Sequence, residues 1–162
     1  GLAKLQNDHD VFIITQNIDD LHERAGSSNV LHLHGRILEM RSEINESLVY
    51  PITGDIKLGD CAEDGCQLRP NIVWFEEPVP AIEQAVPIVR NADIFVVVGT
   101  SLVVYPAAGL INYAPWDIPK FIIDKRIPYT SAMYSLTAIE KPAGEGVKEL
   151  QELLERGIEN RG

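Results

Sequence analysis

The chain has 162 residues, of which 45% are apolar, with a formal net charge of −10 and two cysteines. That is enough chain for one domain with a small extra lobe, and nothing in it looks like a signal peptide. With no apolar run near the roughly 18 residues of a membrane span, no Lys/Arg cluster to neutralise phosphates and too few cysteines for a disulfide framework, we expect no membrane, no nucleic-acid partner and a cytoplasmic location.

Val11-Phe12-Ile13-Ile14-Thr15 predicts a strand over 11–15. A short helix is expected over 18–25, with Gly26 as its C-cap. Residues 30–34 read as a second extended run, and 36–72 as polar and irregular, a small lobe outside the sheet. Pro80 to Asn91 reads as a helix carrying Ile82, Ala85, Val86 and Val89, with a kink or early break expected at Pro87. Ile94-Phe95-Val96-Val97-Val98 has the continuous apolar character of a central parallel strand, as does Lys120 to Asp124. Between them, Pro106 to Ala114 fits a helix with proline in its first turn. Gly146 to Arg156 is an amphipathic closing helix, with Val147, Leu150, Leu153 and Leu154 on one face. Alternating strands and helices imply an α/β fold with a parallel sheet.

Three sets of residues stand where such a sheet places ligands, beyond the carboxyl ends of its strands. Gln16, Asn17 and Asp19 follow the first strand, and amide and carboxylate groups there can orient a ribose or a carboxamide. Gly99, Thr100 and Ser101 follow the central strand, where backbone N–H groups and hydroxyls can meet a phosphate. His32 and His34 lie two apart in the second extended run. Either imidazole can exchange a proton near neutral pH, and on a strand both point the same way. Each set also has a purely structural reading: a capped helix, a strand-to-helix turn, a hydrogen-bonded strand histidine. His22, Glu23 and Arg24 read as an exposed helix face.

Taken together, four ordered strings resemble the sirtuin family of NAD-dependent protein-lysine deacylases. They are Thr15-Gln16-Asn17-Ile18-Asp19 through Gly26, His34-Gly35, Arg69-Pro70-Asn71-Ile72-Val73-Trp74-Phe75, and Gly99-Thr100-Ser101 through Tyr105-Pro106-Ala107-Ala108. The resemblance implies a Rossmann-like parallel sheet over 1–35 and 73–162, and a small inserted lobe over 36–72 matching the family's zinc module. It implies NAD as co-substrate and acylated-lysine proteins or peptides as partners. The acyl-lysine carbonyl oxygen would attack the ribose carbon that loses nicotinamide. The products would be nicotinamide and O-acyl-ADP-ribose. The histidine before glycine, His34, would be the general base. Asn17 and Asp19 would line the nicotinamide end and Gln16 the ribose. Gly99, Thr100 and Ser101 would meet ribose and phosphate, Asp124 the adenosine ribose, and the loop Ala143-Gly144-Glu145-Gly146 the adenine. Ile72, Val73, Trp74, Phe75 and Val104 would form the acyl-lysine tunnel and cleft.

The chain departs from the family in four places. Asp124 stands where many members carry Asn, though a carboxylate can also accept from ribose hydroxyls. Glu76 stands where Phe-Gly-Glu is common, which restricts the backbone beside the peptide cleft. Only Cys61 and Cys66 are present, and 40–42, where the other zinc pair would fall, is Met-Arg-Ser. A structural zinc site wants four ligands, so zinc is not expected. The lobe is then expected to rest on Leu48, Tyr50, Ile52, Ile56 and Leu58, with the two cysteines as small apolar fillers. The family's Gly-Ala-Gly loop and Phe-Arg segment would precede Gly1, so the chain is expected to be a fragment lacking the first strand–helix unit and inactive alone. The wording Ile-Asp-Asp-Leu-His-Glu-Arg-Ala-Gly resembles bacterial members that remove acidic acyl groups, leaving acetyl and succinyl both open. The competing expectation is a catalytically silent NAD or ADP-ribose binding module of the same fold.

Overall fold

The computed structural model describes residues 1–100, 105–127 and 135–159. These form two compact units, Gly1–Phe12 with Ile82–Gly162, and Ile13–Ala81.

In chain order the elements are α1 (Leu2–Leu5), β1 (Ile13–Thr15), α2 (Leu21–Arg24), β2 (Val30–His32), β3 (Gly35–Ser42), β4 (Val49–Pro51), β5 (Leu68–Ile72), α3 (Ile82–Arg90), β6 (Phe95–Val98), a 3-10 helix (Ala107–Tyr113), β7 (Lys120–Asp124), β8 (Leu136–Glu140) and α4 (Ala143–Glu159).

The first unit is built on a parallel sheet in the order β6-β7-β8. Runs such as Phe121-Ile122-Ile123 are buried on both faces, as a sandwiched parallel strand requires. On one face Phe121, Ile123 and Ile139 meet Val147 and Leu150 of α4, with Leu2 and Leu5 packed against them. On the other, Val97 and Ile122 pack with Ile111 of the 3-10 helix. Lys120 is buried, and its ammonium donates to the carbonyls of Pro115, Trp116 and Ile118 at 2.7, 3.0 and 3.1 Å. A buried charge is tolerated there because all three donors are used.

Several expectations are corrected in this unit. The segment after Pro106 is a 3-10 helix rather than an α-helix. Helix α3 does not break early at Pro87 but runs on to Arg90. Proline removes one intrahelical bond, but burial of Ala85 and Val89 keeps the segment helical. Strand β8 carries only a few apolar residues and was not expected. Ala143 to Gly146, which resembles the family's adenine loop but reads equally as a Gly-rich helix entry, is the first turn of α4. A Cβ on Gly146 would stand 2.2 Å from Ile123 Cγ2, so the missing side chain lets α4 lie directly on β7.

The second unit pairs β1 with β2 in parallel and adds an antiparallel sheet in the order β4-β3-β5. Segment 36–72 is therefore not irregular. Its strands escape notice because β3, Gly-Arg-Ile-Leu-Glu-Met-Arg-Ser, alternates only over Leu38-Glu39-Met40-Arg41, and there the apolar Leu38 is exposed and the charged Arg41 buried. The expected apolar support is also corrected. Leu58 is 98% exposed, Cys61 is exposed, and Leu48, Tyr50, Ile52, Ile56 and Cys66 are only half-buried. The buried residues at the end of β3 are polar: Arg41 and Ser42. Ser42 Oγ donates to Asp64 Oδ2 at 2.7 Å and accepts from the amides of Ile44 and Asn45 at 3.3 and 3.2 Å. Arg41 reaches Glu46 at 3.3 Å and the Ser42 carbonyl at 3.1 Å.

Candidate active site

In the second unit the candidate residues gather beyond the carboxyl ends of β1 and β2. The strand pairing Thr15↔His32 brings Gln16 and Asn17 beside Leu33 and His34. His34 Nδ1 lies 3.0 Å from the Gln16 carbonyl oxygen, and His32 Nδ1 lies 3.0 Å from the Asn17 carbonyl oxygen. A carbonyl only accepts, so both Nδ1 atoms carry the proton. The two histidines then differ at their other nitrogen. His32 is buried and its Nε2 faces Glu23 Oε1 at 2.8 Å. His34 is half-buried, and its Nε2 is the basic nitrogen of the neutral ring. The two rings thus differ in burial and in the partner of Nε2.

Asp19 turns the chain into α2 by accepting from the Leu21 amide at 3.1 Å. Helix α2 ends as the sequence leads one to expect. Gly26 has φ +97°, its N–H donates to the Glu23 carbonyl at 2.9 Å, and the Ser27 N–H donates to the His22 carbonyl at 3.0 Å. The reading of Glu23 as part of an exposed face is corrected: it is half-buried and held by His32 and by Arg36 Nη2 at 3.2 Å. Burial pushes its carboxyl up, but the His32 hydrogen bond and the charge of Arg36 bring it below the usual range.

Gly35 begins β3 opposite Ile72, and the Val73 amide donates to the His34 carbonyl at 2.9 Å. The candidate substrate residues therefore stand next to His34 along the backbone. Ile72 is buried and Val73 half-buried, whereas Trp74 is exposed and Phe75 is 97% exposed. These two aromatics lie on a turn closed by Glu77, whose Oε2 accepts from the Trp74 amide at 2.9 Å. Glu76 sits in this turn at φ +73°. A left-handed non-glycine residue costs about 1–2 kcal/mol, so Glu76→Gly is expected to raise stability by about 1 kcal/mol, read from the urea midpoint.

Arg69 forks onto both Glu77 oxygens at 2.7 and 3.0 Å. This hydrogen bonding, then the Trp74 amide, holds the Glu77 carboxyl down at about 2, against an ordinary 4.5. The folded carboxyl thus titrates below the unfolded one. Its contribution is complete above pH 4.5 and is lost as pH falls towards 2. The Tm difference between wild type and Glu77→Gln is expected to be full near neutral pH and to shrink across that acidic window.

In the first unit Gly99, Asp124 and Ala143 share one edge, beyond the carboxyl ends of β6, β7 and β8. The Gly99 amide donates to the Ile123 carbonyl at 2.9 Å. Asp124 is half-buried, and its Oδ1 accepts from the Arg126 amide at 3.1 Å. Thr100 is half-buried, and Ala143 is the exposed start of α4. Ser101 and Val104 lie outside the described residues.

The residues present do not fit a structural zinc. Cys61 and Cys66 donate to carbonyls of their own turns, at Gly59 and Asp64. Burial and the Asp64 carboxylate push the Cys66 thiol up, away from the thiolate a metal needs. Ser42, in the position of the upstream pair, is spent on Asp64, whose carboxyl it holds low. Among the described residues no group of three or more His, Cys, Asp or Glu side chains is placed to hold a metal ion, and no helix is long and apolar enough to cross a membrane.

Comparison with known proteins identifies the family. The Sir2 family model matches residues 1–106. An NAD-dependent protein deacylase of Bacteroides thetaiotaomicron is 48% identical over 94% of this chain and 68% of its own length. One from Helicobacter pylori is 46% identical over 98% of this chain and 68% of its own. Among solved structures, a Sir2 homolog–NAD complex superposes with a TM-score of 0.80 at 34% identity, covering 96% of this chain and 62% of that one. A Sir2–p53 peptide–NAD+ structure does so with a TM-score of 0.77 at 32% identity, covering 97% and 68%. The chain spans about two thirds of the length of these relatives. By its motifs, its sheet and these matches, the chain belongs to the Sir2 family.

Proposed function

We propose that the protein removes acyl groups from lysine side chains in the cytoplasm, consuming NAD and releasing nicotinamide and O-acyl-ADP-ribose. The observation that carries this reading is the His34 ring. Its Nδ1–H is committed to the Gln16 carbonyl, which leaves Nε2 as the proton acceptor. NAD supplies an electrophilic ribose carbon with nicotinamide as its leaving group. His34 takes the proton of a ribose hydroxyl, Asn17 and Asp19 orient the nicotinamide end, and Gln16 meets the ribose. Gly99, Thr100 and Ser101 receive ribose and phosphate, Asp124 the adenosine ribose, and Ala143 the adenine. Ile72, Val73, Trp74, Phe75 and Val104 take the acyl-lysine stem. Residues 1–35 and 73–162 form the NAD-binding part, and 36–72 stands in the place of the family's zinc module.

Relatives named as protein deacylases and a relative solved with NAD and a peptide support this assignment. The silent-binder reading rests on Glu76, whose left-handed backbone sits in the turn beside the proposed cleft. The complete gene product, incubated with acetyl-lysine and succinyl-lysine peptides with and without NAD, separates the two. NAD-dependent loss of acyl mass supports the deacylase and shows its preference. Tight NAD binding without acyl loss supports the binder.

A further inference from the structure

We infer that His32 and Glu23 act as a positioning pair for Asn17, fixing the nicotinamide end of the site without touching substrate; this rests on the deacylase reading. Two consecutive carbonyls, those of Gln16 and Asn17, are each held by a histidine, but the two histidines are not equivalent. His32 is buried and both its ring nitrogens face oxygen acceptors, so none is left for a substrate proton.

Asn17 is gripped at both ends. Its amide donates to Thr15 Oγ1 at 3.1 Å, and its carbonyl accepts from His32 Nδ1. With the peptide planes on either side pinned, the backbone dihedrals of Asn17 are set. Its side chain keeps only its own rotamers. Glu23 keeps the His32 ring turned towards Asn17. The same Glu23 Oε1 also takes Arg36, whose Nη1 lies 3.7 Å from Glu39 Oε1, and Glu39 Oε2 accepts from Asn71 Nδ2 at 2.8 Å. Glu23 is thereby tied to β3 and β5 as well as to α2. Its Oε2 is buried and has no hydrogen-bond partner among the described residues. The carboxylate is thus held by His32 and Arg36 through one oxygen, an arrangement suited to aiming a ring. Placement of this kind matters because a shift of about 1 Å at a reacting centre costs on the order of 100-fold in rate.

The test is steady-state kinetics of the complete gene product with NAD and an acyl-lysine peptide, for wild type, Glu23→Ala, Glu23→Gln and His32→Ala. Glu23→Ala and His32→Ala are expected to lower kcat and raise the KM for NAD, reducing kcat/KM for NAD about 10- to 100-fold. The peptide KM should change little. Glu23→Gln should recover most of the loss, because an amide offers His32 Nε2 either an acceptor or a donor. Loss spread equally over both substrates, or Glu23→Gln no better than Glu23→Ala, would overturn the proposal. Absence of turnover in the wild type would be a failure of the deacylase reading instead. The pair is then tested by 15N relaxation of the Ile18 amide, which shares the pinned peptide plane. Increased fast motion in Glu23→Ala supports the pair, and unchanged order overturns it.

Discussion

Replacing His34 by alanine is expected to lower the kcat of deacylation by about 10²- to 10⁴-fold, the range of a positioned general base. NAD affinity should change by no more than a few-fold. The asymmetry follows from the local geometry. The ring contributes one hydrogen bond, to the Gln16 carbonyl, and is half-buried, so water can take that bond over. The basic Nε2 has no substitute, because His32 is buried and engaged at both nitrogens. Single-turnover acyl transfer together with calorimetric NAD titration checks both halves. A variant with near wild-type turnover would remove His34 from the mechanism, and one that no longer binds NAD would make it a structural residue.

Gly35→Ala is expected to be severely destabilising, by about 2–5 kcal/mol from overpacking and left-handed strain together. Gly35 has φ +77°, and a Cβ there would stand 2.0 Å from the Asn71 carbonyl oxygen and 3.0 Å from Ile72 Cα. The obstacle is backbone on the paired strand β5, so no rotamer change relieves it. The strands must part, which breaks the Val73 N–H to His34 carbonyl bond at 2.9 Å. Activity should fall with stability, since that bond sets His34 against the proposed substrate segment. Urea denaturation gives the direct reading. An alanine variant with the wild-type midpoint would mean that Gly35 does not pair with Ile72 as described. The glycine of the His-Gly motif therefore has a mechanical reason, close approach of β3 to β5.

The parts of this fold legible in the sequence are those whose signal is local. Strands β6 and β7 are continuous apolar runs, α4 has a helical apolar face, and Gly26 marks the end of α2. What escaped reading depends on partners far along the chain. The β3–β5 pairing brings residue 41 to residue 69, and β3 alternates only over Leu38 to Arg41. The buried end of β3 is polar, with Arg41 on Glu46 and Ser42 on Asp64, and no hydrophobic pattern announces these contacts. Glu23 looks like any helix-surface glutamate until β2 places His32 beside it. The candidate site divides in the same way. His34, Asn17 and Asp19 come from motifs that can be read directly. The His-Gly match singles out His34 in the sequence, whereas the Glu23 partner of His32 is visible only in the structure. Of the peptide-cleft candidates, Trp74 and Phe75 are surface residues, a fact their apolar neighbours in the sequence conceal.

The stoichiometry of the reaction distinguishes deacylation from every alternative in one experiment. The complete gene product is incubated with an acyl-lysine peptide and NAD. Nicotinamide, O-acyl-ADP-ribose and free lysine peptide are then quantified by mass spectrometry. An NAD-dependent deacylase yields the three products in equal amounts, and only when peptide and NAD are both present. Acyl loss without NAD consumption, or bound NAD with no product from any acyl peptide, would contradict that reading.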